Sequence, residues 1–276
     1  AAASSSAIAR ARDLAWLGQH ARAVAVCTEA LDAGHDDASI RLALLEARAD
    51  SLIAGGEMAR AGDDAQAMLA IAEHEGTPAL LARALRVRSQ VQAFSGQVPA
   101  ALDSATQAMN AARRSRDRVL RAECRLILAI AQMRSRRSAE ALATARRAEG
   151  QLRRLGDELR RGRALSVQAF ALDELNRQND RDAAGREALA IARRLGDRYG
   201  EASALNILYR QHLDLAQRLR GLKQALAGYI AVGNVSGQSA IYNNLALAYR
   251  ALGLYRRSDR MAISALEIRR RLGDLV

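Results

Sequence analysis

Proline occurs only twice, at Pro78 and Pro99, and aromatic residues make up 3% of the 276-residue chain. Both prolines stand where a helix should begin, the one place a helix accepts them without losing a hydrogen bond. Long runs of β-branched residues are absent, which excludes a sheet-based fold. No stretch approaches the roughly 20 consecutive apolar residues of a membrane-spanning helix. The two cysteines, Cys27 and Cys124, lie far apart and both fall on the apolar faces of expected helices. That placement predicts buried free thiols and a reducing compartment. Lysine is nearly missing: of 42 basic residues, Lys223 alone is not arginine. The formal charge of +12 therefore reads first as the arginine bias of a GC-rich genome, and second as a signal for a polyanionic partner.

Alanine, leucine and arginine are what the chain has in abundance, and these are strong helix formers. They recur with a fixed stride. A helix-ending glycine stands at Gly76, Gly156, Gly196, Gly233 and Gly273, with Arg116 in the slot between the first two. The intervals are 40, 40, 40, 37 and 40 residues. Glycine after a helix takes the left-handed conformation at little cost. Second glycines at Gly18, Gly55-Gly56, Gly96 and Gly253 divide the first, second, third and seventh repeats into two amphipathic helices, while the inner turn of the sixth lacks a glycine. Small residues recur four and three apart in the second helices: Ala101, Ala105 and Ala108, then Ala141, Ala145 and Ala148, with Ala23 and Ala30 earlier. Residues so spaced share a face, and alanine there lets paired helices approach closely.

The periodicity predicts an all-α chain, a right-handed superhelical solenoid of about seven helix-turn-helix repeats. Residues 1–6 are expected to be a disordered tag or linker, and 7–276 a single array. Its repeats fall at about 7–36, 37–76, 77–116, 117–156, 157–196, 197–233 and 234–276. Within these, Ser138 is expected to cap a helix. The inner turns of the fifth and sixth repeats are placed at 176–180 and 213–217.

The last repeat carries the clearest signature. Tyr242, Leu245-Ala246, Tyr249, Gly253, Tyr255 and Ala265-Leu266 resemble the tetratricopeptide repeat, or TPR. Ser258 and Ala262 depart from that pattern, and Leu272-Gly273-Asp274 stands where the family has its closing proline. The endings Arg193-Arg194-Leu195-Gly196-Asp197 and Arg270-Arg271-Leu272-Gly273-Asp274 resemble a long-repeat type. Such arrays are attached to bacterial signalling enzymes, such as diguanylate and adenylate cyclases, and to large ATP-dependent transcription activators. The resemblance implies a non-catalytic scaffold or sensor that binds a protein or peptide in a concave groove. Both ends of the sequence read as cuts in a longer polypeptide.

No arrangement of residues points to chemistry. His20, His35, His74 and His212 have no cysteine or second histidine at metal spacing. His20 and His35 are expected to face solvent. No phosphate loop and no nucleophile elbow occurs. Asp36-Asp37 and Asp63-Asp64 fit helix starts, where acids favour the dipole. Neither a catalytic residue, a metal site nor a cofactor is expected. From 113 to 163 sixteen arginines face six acids, without an aromatic residue among them. That composition favours a solvated or protein-facing surface over nucleic acid, which would want stacking platforms.

In the resembled family the first helices line the groove. By alignment they place Arg86, Gln90, Phe94, Ser166, Phe170, Asn206, Arg210, Asn243 and Arg250 there, together with Glu46, Asp50, Leu126, Ile130 and Met133. Amides and guanidiniums suit an extended peptide backbone or its carboxylates. Phe94 and Phe170 fit packing between neighbouring helices as well as groove contacts. Other expected occupants are an output domain of the same polypeptide or a second copy. The expected location is the cytoplasm, with a periplasmic sensor segment as the alternative.

Overall fold

Helix caps set the ruler of this fold. The computed structural model describes residues 2–34 and 37–273, so His35, Asp36 and Asp274 lie outside the described residues. Among the described residues are fourteen α-helices and no strand. In order they are α1 (Ala2–Trp16), α2 (His20–Asp32), α3 (Ala38–Gly55), α4 (Met58–Glu75), α5 (Pro78–Phe94), α6 (Val98–Arg114) and α7 (Arg118–Arg134). There follow α8 (Ser138–Leu155), α9 (Glu158–Glu174), α10 (Gln178–Leu195), α11 (Arg198–Tyr209), α12 (Leu215–Ala231), α13 (Val235–Ala251) and α14 (Tyr255–Leu272).

The odd-numbered helices from α3 to α13 are preceded by Asp37, Thr77, Asp117, Asp157, Asp197 and Asn234. All but Thr77 accept backbone N–H bonds through the side chain, for example Asp117 from Val119 and Leu120. These bonds satisfy donors that a helix start leaves unpaired. At Thr77 the work passes to Pro78, whose missing N–H is one fewer donor to satisfy.

The helix ends follow the same ruler. Gly76, Gly156, Gly196, Gly233 and Gly273 all have positive φ, and Arg116 takes φ 59 in the slot between the first two. Arg136 and Asn176 do the same at inner turns. Side chains other than glycine are uncommon there.

Several boundaries differ from those expected. Helix α1 starts at Ala2, inside the segment read as disordered, because Ala2 and Ala3 extend the turn that follows. Ser138 is no cap: Arg137 holds that position, and the Ser138 hydroxyl donates to Glu174 at 2.8 Å. The inner turn of the fifth repeat lies one step earlier than expected, since α10 begins at Gln178. The inner turn of the sixth occupies 210–214, because α11 has 12 residues where α9 has 17.

The described residues divide into two compact units, one up to Ser135 and one from Arg136 onward. In the first, α1 packs on α2, α3 on α4 and α5 on α6, and the first helices α1, α3, α5 and α7 touch in succession. In the second, α8 packs on α9, and α9 on α10, α11 on α12 and α13 on α14 form hairpins. One slot explains much of the packing. The residue seven after each cap is Leu44, Ala84 and Cys124 in the first unit and Ala164, Ala204 and Ile241 in the second; all are fully buried. Cys124 fills that slot as a small apolar side chain, and burial pushes its thiol up to about 12. Ala101, Ala105 and Ala108, like Ala141, Ala145 and Ala148, are buried at the seams read from their spacing.

Candidate functional site: the first-helix faces

Two positions recur on each first helix from α3 to α13, nine and thirteen residues after the cap. They lie four apart and so share a side of the helix. The ninth is Glu46, Arg86 and Leu126 in the first unit, and Ser166, Asn206 and Asn243 in the second. Glu46, Leu126, Ser166 and Asn206 are buried, Arg86 is nearly so, and Asn243 is exposed. The thirteenth is Asp50, Gln90 and Ile130, then Phe170, Arg210 and Leu247. Every one of these is half-buried or exposed. The ninth position is therefore interior or nearly so from α3 to α11 and open on α13, while the thirteenth is accessible at least in part on all six.

In the first unit the tie is ionic. Glu46 on α3 accepts from the Arg86 guanidinium on α5 at 2.6 Å and from Arg83 Nε at 3.1 Å. Arg86 also donates to Gln90 Oε1 at 2.7 Å. Burial alone would raise the Glu46 carboxyl, but Arg86 and then Arg83 more than offset it and hold it at about 2. Burial opposes the charge on Arg86 too, and the Glu46 and Asp50 carboxylates hold its pKa above the ordinary arginine value. Removing one member of such a pair leaves an uncompensated buried charge. Arg86 thus bonds both to Gln90 and to Glu46 on α3. Phe94, at the end of α5, is half-buried beneath the Arg134 guanidinium, 4.5 Å from its centroid. Arg134 also donates to the Ala93 carbonyl at 2.9 Å. Asp50, Ile130 and Met133 remain accessible in part.

The second unit repeats the device with different residues. Asp173 on α9 is buried and accepts from Arg181 at 2.8 Å and from Arg210 Nε at 2.7 Å. Arg210 lies over the Phe170 ring at 5.4 Å. Asn206 accepts from Asn244 Nδ2 at 2.7 Å, joining α11 to α13. Ser166 and Asn206 are therefore interior, which corrects their placement on an open groove: the neighbouring first helix covers them. Asn243 and Arg250 are exposed. Sequence reasoning missed Leu247, which is 50% exposed between them. Asn243, Leu247 and Arg250 follow at four and three residues and make one stripe on α13.

Elsewhere the polar groups are mostly engaged with one another. Arg161 pairs with Glu149 at 2.8 Å and with Glu158 and Glu187, Arg160 with Asp157 at 2.6 Å, and Arg194 with Glu158 at 2.6 Å. Arg146, Arg147, Arg153 and Arg154 are exposed on α8. A shallow depression of about 440 Å³ is lined by Arg136, Arg137, Ser138, Glu140, Glu174 and Leu175. Its serine already bonds Glu174. Among the described residues no three histidine, cysteine or carboxylate side chains gather as metal ligands, and no helix is long and apolar enough to cross a membrane. His20, which begins α2, is half-buried rather than solvent-facing.

Comparison of the sequence with protein-family models finds no match, and no curated protein matches it. Solved structures do. A Rap protein complexed with Competence and Sporulation Factor is 15% identical, with a TM-score of 0.72 over 98% of this chain and 77% of that one. The apo form of RapI is 13% identical, with a TM-score of 0.69 over 92% of each chain. A signal-transduction ATPase with a tetratricopeptide repeat sensor, from Pyrococcus horikoshii, is 13% identical, with a TM-score of 0.57 over 95% of this chain and 41% of that one. At these identities the likeness is one of fold: this chain is a TPR-like helical repeat.

Proposed function

We propose that the chain is a non-catalytic sensor or scaffold module of a larger bacterial signalling protein, such as a diguanylate or adenylate cyclase. It binds a protein or peptide along its first-helix faces. The observation that carries this reading is the split between the ninth and thirteenth positions. Within each unit the ninth register is mostly buried, while the thirteenth stays accessible, with Asp50, Gln90 and Ile130 in the first unit and Phe170, Arg210 and Leu247 in the second. Each set offers hydrogen bonds to an extended backbone and apolar seats for its side chains. The α13 stripe of Asn243, Leu247 and Arg250 is its most open part. Membership in a transcription activator is the second reading, supported by the likeness to an ATPase whose repeats are a sensor.

The test is binding of a random-peptide array to the purified chain and to an Asn243→Ala, Arg250→Ala variant. Both residues are exposed, so folding is retained. Binding weakened about tenfold, roughly 1.4 kcal/mol, supports the assignment, and unchanged binding removes α13 from it.

A further inference from the structure

Each second helix from α2 to α12 has a slot four residues after its cap. From α2 to α8 that slot holds Ala23, Ala61, Ala101 and Ala141, all buried. In α10 and α12 it holds arginine, Arg181 and Arg218. Arg181 is buried and neutralised: it donates to Asp173 at 2.8 Å through Nη1 and to Asp182 at 2.9 Å through Nε. Arg218 is half-buried, and its Nε is shut off from solvent without a hydrogen-bond partner. Among the described residues no carboxylate pairs with its guanidinium, and burial alone acts on it, lowering its pKa.

The register explains the difference. Asp173 stands sixteen residues after the cap Asp157, and its counterpart after Asp197 is Leu213. Asp182 stands five after Arg177, and its counterpart after Asp214 is Leu219. Leucine thus replaces both acids. Helix α9 runs past Asp173 to Glu174, whereas α11 ends at Tyr209 and leaves Leu213 96% exposed in the turn. Asp214, one turn before Arg218, is committed elsewhere. It accepts from the Ala216 and Gln217 N–H groups and from the Gln217 side chain. Helix α12 packs on α11 and α13, as α10 packs on α9 and α11, so the unpaired arginine is internal to the second unit.

Burying a charge without a partner is costly, and a guanidinium is a planar, two-pronged receptor for carboxylate. We infer that Arg218 is the seat of a carboxylate from a bound peptide, which takes the part that Asp173 takes for Arg181. The surrounding charge favours such a ligand: Arg220 and Lys223 are exposed nearby, and Asp214 is the one acid from 211 to 223. The peptide as source rests on the proposed function. The seat itself lies on a second helix, outside the residues tested there, and can be read without a peptide.

The experiment follows the arginine Nε–H signals of the isotope-labelled chain by NMR as small probes are added. N-acetyl-leucine carries a terminal carboxylate, the α-amide of N-acetyl-aspartate a side-chain carboxylate, and N-acetyl-leucinamide neither. The signal missing from Arg218→Met identifies Arg218. It should respond to the carboxylates at concentrations about tenfold or more below those of the leucinamide. A stronger response to N-acetyl-leucine assigns a peptide C-terminus, and a stronger response to the aspartate an acidic side chain. Arg218→Ala, which installs the residue of the earlier repeats, should leave the melting temperature unchanged or raise it. A lowered melting temperature would make Arg218 a structural residue and overturn the inference. Equal responses to the leucinamide or to chloride, or a stronger one to inorganic phosphate, overturn it as well. Failure of the peptide array leaves these readouts intact, and failure here leaves the Asn243 and Arg250 test intact.

Discussion

Arg134 stands forty residues after Phe94, and its guanidinium carbon lies 4.5 Å from the centre of that ring. Arg210 stands forty residues after Phe170 and lies over it at 5.4 Å. An aromatic on one first helix and an arginine on the next recur once in each unit, at the stride of the repeat. A guanidinium over a ring is worth about 0.5–1 kcal/mol at an exposed site. Arg134→Ala also deletes a bond to the Ala93 carbonyl, so it should lower stability by about 1–2 kcal/mol. Urea unfolding measures this, and Arg134→Lys should recover less than half of the loss, since lysine lacks the planar fork.

The Glu46 cluster gives the first unit an acid-sensitive joint. Its folded pKa of about 2 lies well below the ordinary glutamate range. For a depressed carboxylate the stabilisation is full above the unfolded pKa and is lost as pH falls through the folded one. Stability should therefore decline between about pH 5 and pH 2 through this group. Glu46→Gln should be less stable than wild type at pH 7, and the difference should shrink as pH falls across that window. A difference that stays constant with pH would contradict the ionic joint.

Close approach of α11 and α12 depends on Gly221. A Cβ there would sit 2.1 Å from the Tyr209 ring. Gly221→Ala should cost about 1–3 kcal/mol by overpacking, despite the better helix propensity of alanine. Gly221→Ala combined with Tyr209→Ala should restore part of the loss in thermal unfolding.

Polyanion binding is the competing account of the arginine-rich middle. Within it, Arg160 is paired with Asp157, and Arg161 with Glu149, Glu158 and Glu187. Anisotropy with labelled single-stranded DNA and RNA should show weak binding that vanishes between about 50 and 200 mM salt. Tight binding at the higher salt, lost on replacing Arg146, Arg147, Arg153 and Arg154, would favour the nucleic-acid reading instead.

The stride and the helix pairing were legible in the sequence because caps and stops are local chemistry: Asp117 bonds to residues two and three positions on. What binds Arg86 was not, because Glu46 lies forty residues away and burial decides the pairing. Leu247 was missed for a related reason. The caps Asp197 and Asn234 are 37 residues apart because α11 is short, so Arg210 corresponds to Leu247 rather than to Arg250. Alignment at a uniform stride of 40 hides that shift.

Hydrogen exchange of the chain with and without a peptide selected from the array tests the central claim most directly. The account predicts added protection on the first helices, α13 above all, with α10 and the arginine face of α8 unchanged. Protection confined to the second helices or to α8 would contradict it.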